Sequence, residues 1–139
     1  MSTSLDTIYS KFLSQIDDIE LSLIDEEDME MLLVDLLENA TVEFKECKKD
    51  LTINVEEGCI EADLTLEEIY ILALSMRLFW LSPKINREEN LRQIMQDRDF
   101  KQLSNANMLK TLLQLQDATR RELNKFKQRY AFNGFKGFE

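Results

Sequence analysis

The stretch Thr65-Leu66-Glu67-Glu68-Ile69-Tyr70-Ile71-Leu72-Ala73-Leu74-Ser75-Met76-Arg77-Leu78-Phe79-Trp80-Leu81-Ser82-Pro83 decides the fold of this chain. Thr65 followed three residues later by Glu68 fits a capping box, in which the Thr hydroxyl and the Glu carboxylate each satisfy an orphan backbone amide at a helix start. Ile69, Leu72, Ala73, Met76 and Trp80 then recur at spacings of three and four, while Ile71, Leu74 and Leu78 make the other side apolar as well. A helix that is apolar nearly all round is either central to a bundle or covered by a second chain. Ser82-Pro83 predicts its end, and a shorter helix is expected from Ile85 to Met95.

Downstream, the turn Ser104-Asn105-Ala106-Asn107 launches a long amphipathic helix of about 26 residues to Tyr130. Leu109, Leu112, Thr119, Leu123, Phe126 and Tyr130 form its near-heptad seam, broken by Gln116 and flanked by Met108 and Leu115. Upstream, Ser4 caps a short helix carrying Ile8, Phe12 and Ile16. The acidic run Asp25-Glu26-Glu27-Asp28 opens another, with apolar Met29, Leu32, Leu33, Leu36 and Leu37; acids in a first turn favour the helix dipole. From Leu51 to Ala62 the apolar residues alternate around a Glu57-Gly58 turn signal, which reads as a short β-hairpin or an extended loop. With three glycines and one proline in 139 residues, long helices can run unbroken. The expected fold is mostly α: a small helical bundle with a long C-terminal helix and, at most, one short hairpin near residues 51–62.

Length and an apolar fraction of 44% fit one domain, residues 1–130. Residues 131–139, Ala131-Phe132-Asn133-Gly134-Phe135-Lys136-Gly137-Phe138-Glu139, read as a flexible C-terminal arm. Its sparsely spaced aromatics can dock on a partner, fold back, or stay unstructured; docking is the reading carried forward, through Arg129, Tyr130, Phe132, Phe135, Lys136 and Phe138. The expected core is led by Leu72, Met76, Trp80, Leu112, Leu123 and Phe126, with Phe79 and Trp80 as anchors at a helix end.

The net charge of −10 is unevenly spread. Residues 1–99 carry 9 basic and 24 acidic side chains, whereas residues 100–139 carry 8 and 3. The acidic body argues against general nucleic-acid binding, which needs a basic face. The basic C-terminal helix suits an acidic protein partner, including another copy of the chain.

No catalytic constellation is legible. The chain has no histidine, so the usual general base and nucleophile activator is missing. The acid pairs Asp17-Asp18 and Asp25 to Asp28 lack the spacing of a calcium loop and read as solvated surface. Cys47 and Cys59 lack metal-ligand spacing and read as reduced, semi-buried thiols. No glycine-rich loop offers a phosphate cradle, so neither cofactor nor metal is expected and the chain reads as a non-enzyme. The N-terminus is unlike a signal peptide, and no run of apolar residues is long enough for a membrane span.

The order Asp63-Leu64-Thr65-Leu66-Glu67-Glu68-Ile69, Leu72-Ala73, Met76, Trp80-Leu81-Ser82-Pro83, Asp99-Phe100-Lys101, Ser104-Asn105-Ala106-Asn107, Arg121-Glu122 and Tyr130-Ala131-Phe132 resembles the head-to-tail connector, or head-completion adaptor, proteins of tailed bacteriophages infecting Gram-positive bacteria. The resemblance spans roughly residues 60–132, and the N-terminal half has no counterpart in it. It implies a structural virion protein of the neck, assembled in the host cytoplasm as a dodecameric ring on the portal protein. Such a ring binds the next neck or tail-completion protein and leaves a channel through which DNA passes without specific binding; no membrane is involved. The C-terminal segment is implied to be the arm that docks on the portal. The alternative is a cytoplasmic phage assembly chaperone or regulatory helical protein that holds a client transiently.

Overall fold

Ser4 ends a two-residue strand and begins a helix, because its hydroxyl accepts from the Asp6 amide at 3.3 Å in the N-cap position. In the computed structural model, which describes residues 2–16, 25–94 and 105–136, the elements run β1 (Thr3–Ser4), α1 (Leu5–Leu13), α2 (Glu26–Glu43), β2 (Ile53–Asn54), β3 (Cys59–Ile60), α3 (Leu66–Ile94) and α4 (Asn105–Lys136). The chain is mostly helical, with a small three-stranded antiparallel sheet among the described residues.

α1 and α2 each bury one apolar face, although α1 ends at Leu13, short of the expected Ile16. α1 buries Leu5, Ile8, Tyr9 and Phe12. α2 is capped by Asp25, whose carboxylate accepts from the Asp28 amide at 2.9 Å, and it buries Leu33, Leu36, Leu37 and Ala40. Both sets follow the i, i+3, i+4, i+7 pattern of a single helix face. α3 packs against α1, α2 and α4 and is the central helix: Ile69, Ile71, Leu72, Ala73, Leu74, Met76 and Leu78 are buried on all its sides. It is thus covered by its own chain. A second, smaller cluster joins Leu81 and Ile85 of α3 to Leu109 of α4, with Leu112 and Leu115 beside it.

Of the expected core residues, Leu72, Met76 and Leu123 are buried, while Trp80, Leu112 and Phe126 are half-buried at its edges. Trp80 packs against both clusters, meeting Phe12 edge-on at 6.5 Å between centroids.

The expected helix break at Pro83 does not occur: α3 is 29 residues long and includes both Pro83 and the segment read as a separate helix from Ile85. A proline inside a helix forfeits one backbone bond and crowds the preceding turn, at roughly 3 kcal/mol. Leu81 and Ile85, on either side of it, are both buried against α4, and each buried aliphatic side chain contributes about 1.5–3 kcal/mol. Packing therefore outweighs the local penalty.

The Leu51–Ala62 region contains the hairpin. β2 and β3 pair antiparallel with Ile53 opposite Ile60 and Asn54 opposite Cys59. The turn is fixed by the Asn54 side chain, which accepts from the Glu57 amide at 3.1 Å, and by Gly58 at φ +65°, a backbone conformation that disfavours side chains. The N-terminal strand β1 completes the sheet on the other edge of β3, with Thr3 opposite Ile60. Buried Thr3 then ties this edge to the start of α3, donating to the Ala62 carbonyl at 2.8 Å and accepting from the Leu64 amide at 2.9 Å.

The last helix extends past its expected end. α4 is 32 residues, about 48 Å, and reaches Lys136 instead of ending at Tyr130. The backbone of residues 131–136 is therefore helical where the sequence reading placed the start of a flexible arm. One glycine in a helix costs only about 1 kcal/mol, so Gly134 does not stop it. The Asp99-Phe100-Lys101 stretch, Ser104, Asp17, Asp18 and Phe138 lie outside the described residues.

Candidate docking surface

The end of α4 is held by a buried carboxylate. Glu68, 1% exposed, completes the capping box: its Oε1 accepts from the Thr65 amide at 2.8 Å, and the Thr65 hydroxyl accepts from the Glu68 amide at 3.2 Å. The same carboxylate accepts from Lys49 Nζ at 2.7 Å, from the Tyr130 hydroxyl at 2.7 Å and from Cys47 Sγ at 3.5 Å. Burial alone would push the Glu68 carboxyl up, but the donors Lys49, Thr65 N–H and Tyr130 together with the Lys49 charge bring it down to about 2. The Tyr130 phenol moves the opposite way, raised by burial and by its bond to the carboxylate. Burial likewise raises the Cys47 thiol, which sits as a weak donor in this network. One side chain thus joins the loop after α2, the first turn of α3 and the last part of α4.

Further contacts fasten α4 along its length. Tyr70 donates to Glu122 at 2.8 Å, Arg77 Nε donates to the fully buried Thr119 hydroxyl at 2.9 Å, and that hydroxyl donates to the Leu115 carbonyl at 2.7 Å. Lys127, mostly covered, donates to the Glu43 carbonyl at 2.9 Å at the end of α2.

These contacts divide the expected docking residues. Tyr130 belongs to the body: its hydroxyl is taken by Glu68 and its ring meets Phe44 edge-on at 5.1 Å. Arg129 is exposed and lies 5.5 Å from the Phe126 ring centroid. Phe132 is 58% exposed. Phe135 and Lys136 fall in the last turn of α4. Arg121, Lys125, Arg129 and Phe132 are all exposed, and their spacings of four, four and three put them in one stripe along the helix.

A second surface was not legible as a site. Between α2 and the hairpin turn, Met31 and Val34 of α2 and Val55 of the turn form the floor of a groove of about 450 Å³, bordered by Glu27, Glu30 and Asp35. Met31 is 65% and Val55 53% exposed. In the sequence the acids of α2 read as a solvated face; the signal that marks the groove is Met31, an exposed apolar residue off the Leu33–Leu36–Leu37–Ala40 stripe that enters the core, with Val34 at that stripe's edge. α2 carries seven acidic residues and no basic one. Buried Tyr9 has its phenol pushed up to about 12 by burial, then by Glu30 of α2, Asp6 of α1 and Glu38 of α2.

Another groove, about 490 Å³, lies where α1, the start of α3 and α4 meet, with Ile69, Tyr70 and Phe126 in its wall and Lys11 Nζ 5.3 Å from the Tyr70 ring centroid. Both cysteines are free thiols. Among the described residues no three metal-ligating side chains cluster, and no helix is long and apolar enough to cross a membrane. Compared with protein-family models, curated proteins and solved structures, the chain matches none of them.

Proposed function

We propose that this chain is a non-catalytic structural subunit of the bacteriophage neck, a head-to-tail connector that forms a ring on the portal and passes the end of α4 to its neighbour. The observation that carries the reading is the anchoring of α4. The helix is locked to the body as far as Tyr130 by Glu68, Phe44 and Lys127, and the residues that follow, Ala131, Phe132 and Asn133, are exposed. A rigidly based projection loses little conformational entropy on docking, and its aromatic side chain offers large contact area. The resemblance of residues 60–132 to connector proteins supports the same assignment, as does the acidic body, which repels a DNA backbone passing through a channel.

Deletion of Phe132–Glu139 tests the docking role. The truncated chain is expected to keep the helical circular dichroism of the full protein, apart from the last five residues of α4, because the last α4 side chain packed against the main core cluster is Tyr130. Mixed with assembled portal rings, the full chain should co-sediment and the truncated chain should not. Equal co-sedimentation of the two would refute the arm's role, and collapse of the helical signal would show that the segment is part of the body.

A further inference from the structure

The exposed stripe of α4 and the groove on α2 are opposite in charge and matched in character. The stripe presents Arg121, Lys125 and Arg129, followed by Phe132. The groove presents Glu27, Glu30 and Asp35 around an apolar floor of Met31, Val34 and Val55. No residue of α4 is among those lining the groove of its own chain; α4 is fixed by Lys127 to Glu43 and by Tyr130 to Glu68, and among the described residues no cation pairs with Glu27, Glu30 or Asp35.

We propose that the Glu27–Glu30–Asp35 groove of one copy receives the Arg121–Lys125–Arg129–Phe132 stripe of a second copy, giving a head-to-tail contact between subunits. Phe132 enters the apolar floor, where the Met31 thioether is a suitable neighbour for an aromatic ring. The three cations of the stripe face the three carboxylates of the rim, which fixes register and accelerates encounter. The two surfaces lie on different elements, so the contact is heterologous; the first copy's stripe and the second copy's groove stay unused, and repetition closes a ring or extends a filament. This deepens the connector reading, rests on it for the requirement that copies touch one another, and leaves the residues beyond Phe132 for the portal.

The full-length protein can be followed by sedimentation velocity at about 50 mM and about 500 mM salt, with two charge-reversed variants, Glu30→Lys with Asp35→Lys and Lys125→Glu with Arg129→Glu. The wild-type chain should self-associate at low salt and dissociate at high salt, where surface charges are screened. Each variant alone should associate about tenfold or more less tightly, because groove and stripe then carry the same sign. Mixing the two variants should restore association, since each supplies the surface complementary to the other's. A wild-type chain that stays monomeric at low salt up to about 0.5 mM would overturn the proposal. So would self-association that both variants leave unchanged, or a mixture no tighter than its components; circular dichroism of each variant ensures that a lost contact is not a lost fold. A chain found in virions but monomeric under these conditions would end this proposal and leave the connector reading standing, whereas one that self-associates as predicted but is absent from virions would do the reverse.

Discussion

Replacing Glu68 with alanine is expected to lower the stability of the protein by about 3 kcal/mol, because it leaves the Thr65 amide and the Tyr130 hydroxyl without their acceptor and removes the counter-charge of Lys49. In a chain of this size the unfolding midpoint should fall by roughly 10 °C, and the end of α4 should loosen first, since Tyr130 loses its anchor. The pH dependence gives an independent check. The carboxyl is held at about 2 in the folded protein against an ordinary 4.5, so its contribution is fully present above about pH 4.5 and is lost as pH falls from there through 2. Glu68→Gln should unfold with less acid dependence across that window. Wild-type thermal stability in the alanine variant, or an acid profile unaltered in the glutamine variant, would remove Glu68 from its place as the tie between α3 and α4.

Phe12→Ala should be costlier still, roughly 3–5 kcal/mol. Phe12 is completely buried in the main cluster and meets Trp80 of α3 edge-on. α1 has nine residues, too few to persist as a helix without packing, so the cavity also weakens the attachment of the N-terminal segment and of β1 behind it. Trp80 is the only tryptophan, and its fluorescence emission should shift to the red as water reaches the exposed ring edge. A melting midpoint and emission spectrum equal to those of the parent would contradict the placement of α1 against α3.

The helices were legible because their signals are local. Thr65 and Glu68 are three residues apart, and the apolar residues of α1, α2 and α4 recur within single turns, so spacing alone assigns a cap and a face to each. Pro83 misled because its local penalty is visible in sequence, whereas the burial of Leu81 and Ile85 against Leu109 that outweighs it depends on a helix more than twenty residues away. The hairpin was one of two readings, but the pairing of Thr3 with Ile60 was not foreseen, since two-residue strands carry almost no periodic signal. Tyr130 shows the same limit at the candidate site. It was placed both on the seam of α4 and among the docking residues, and only its meeting with Glu68, 62 residues away in sequence, assigns it to the body. Arg129 and Phe132, by contrast, are exposed, and the groove they are proposed to fill in a neighbour is hidden in the sequence because acids flanking Met31 and Val34 read as ordinary solvated surface.

The proposed connector role is tested most directly by quantitative mass spectrometry of virions purified from a phage lysate in which the chain is expressed, compared with that lysate. The account predicts the chain in the particles at a copy number close to that of the portal protein. Its presence in the lysate and absence from the particles would contradict a neck role and favour the alternative of an assembly factor that leaves before the virion is complete.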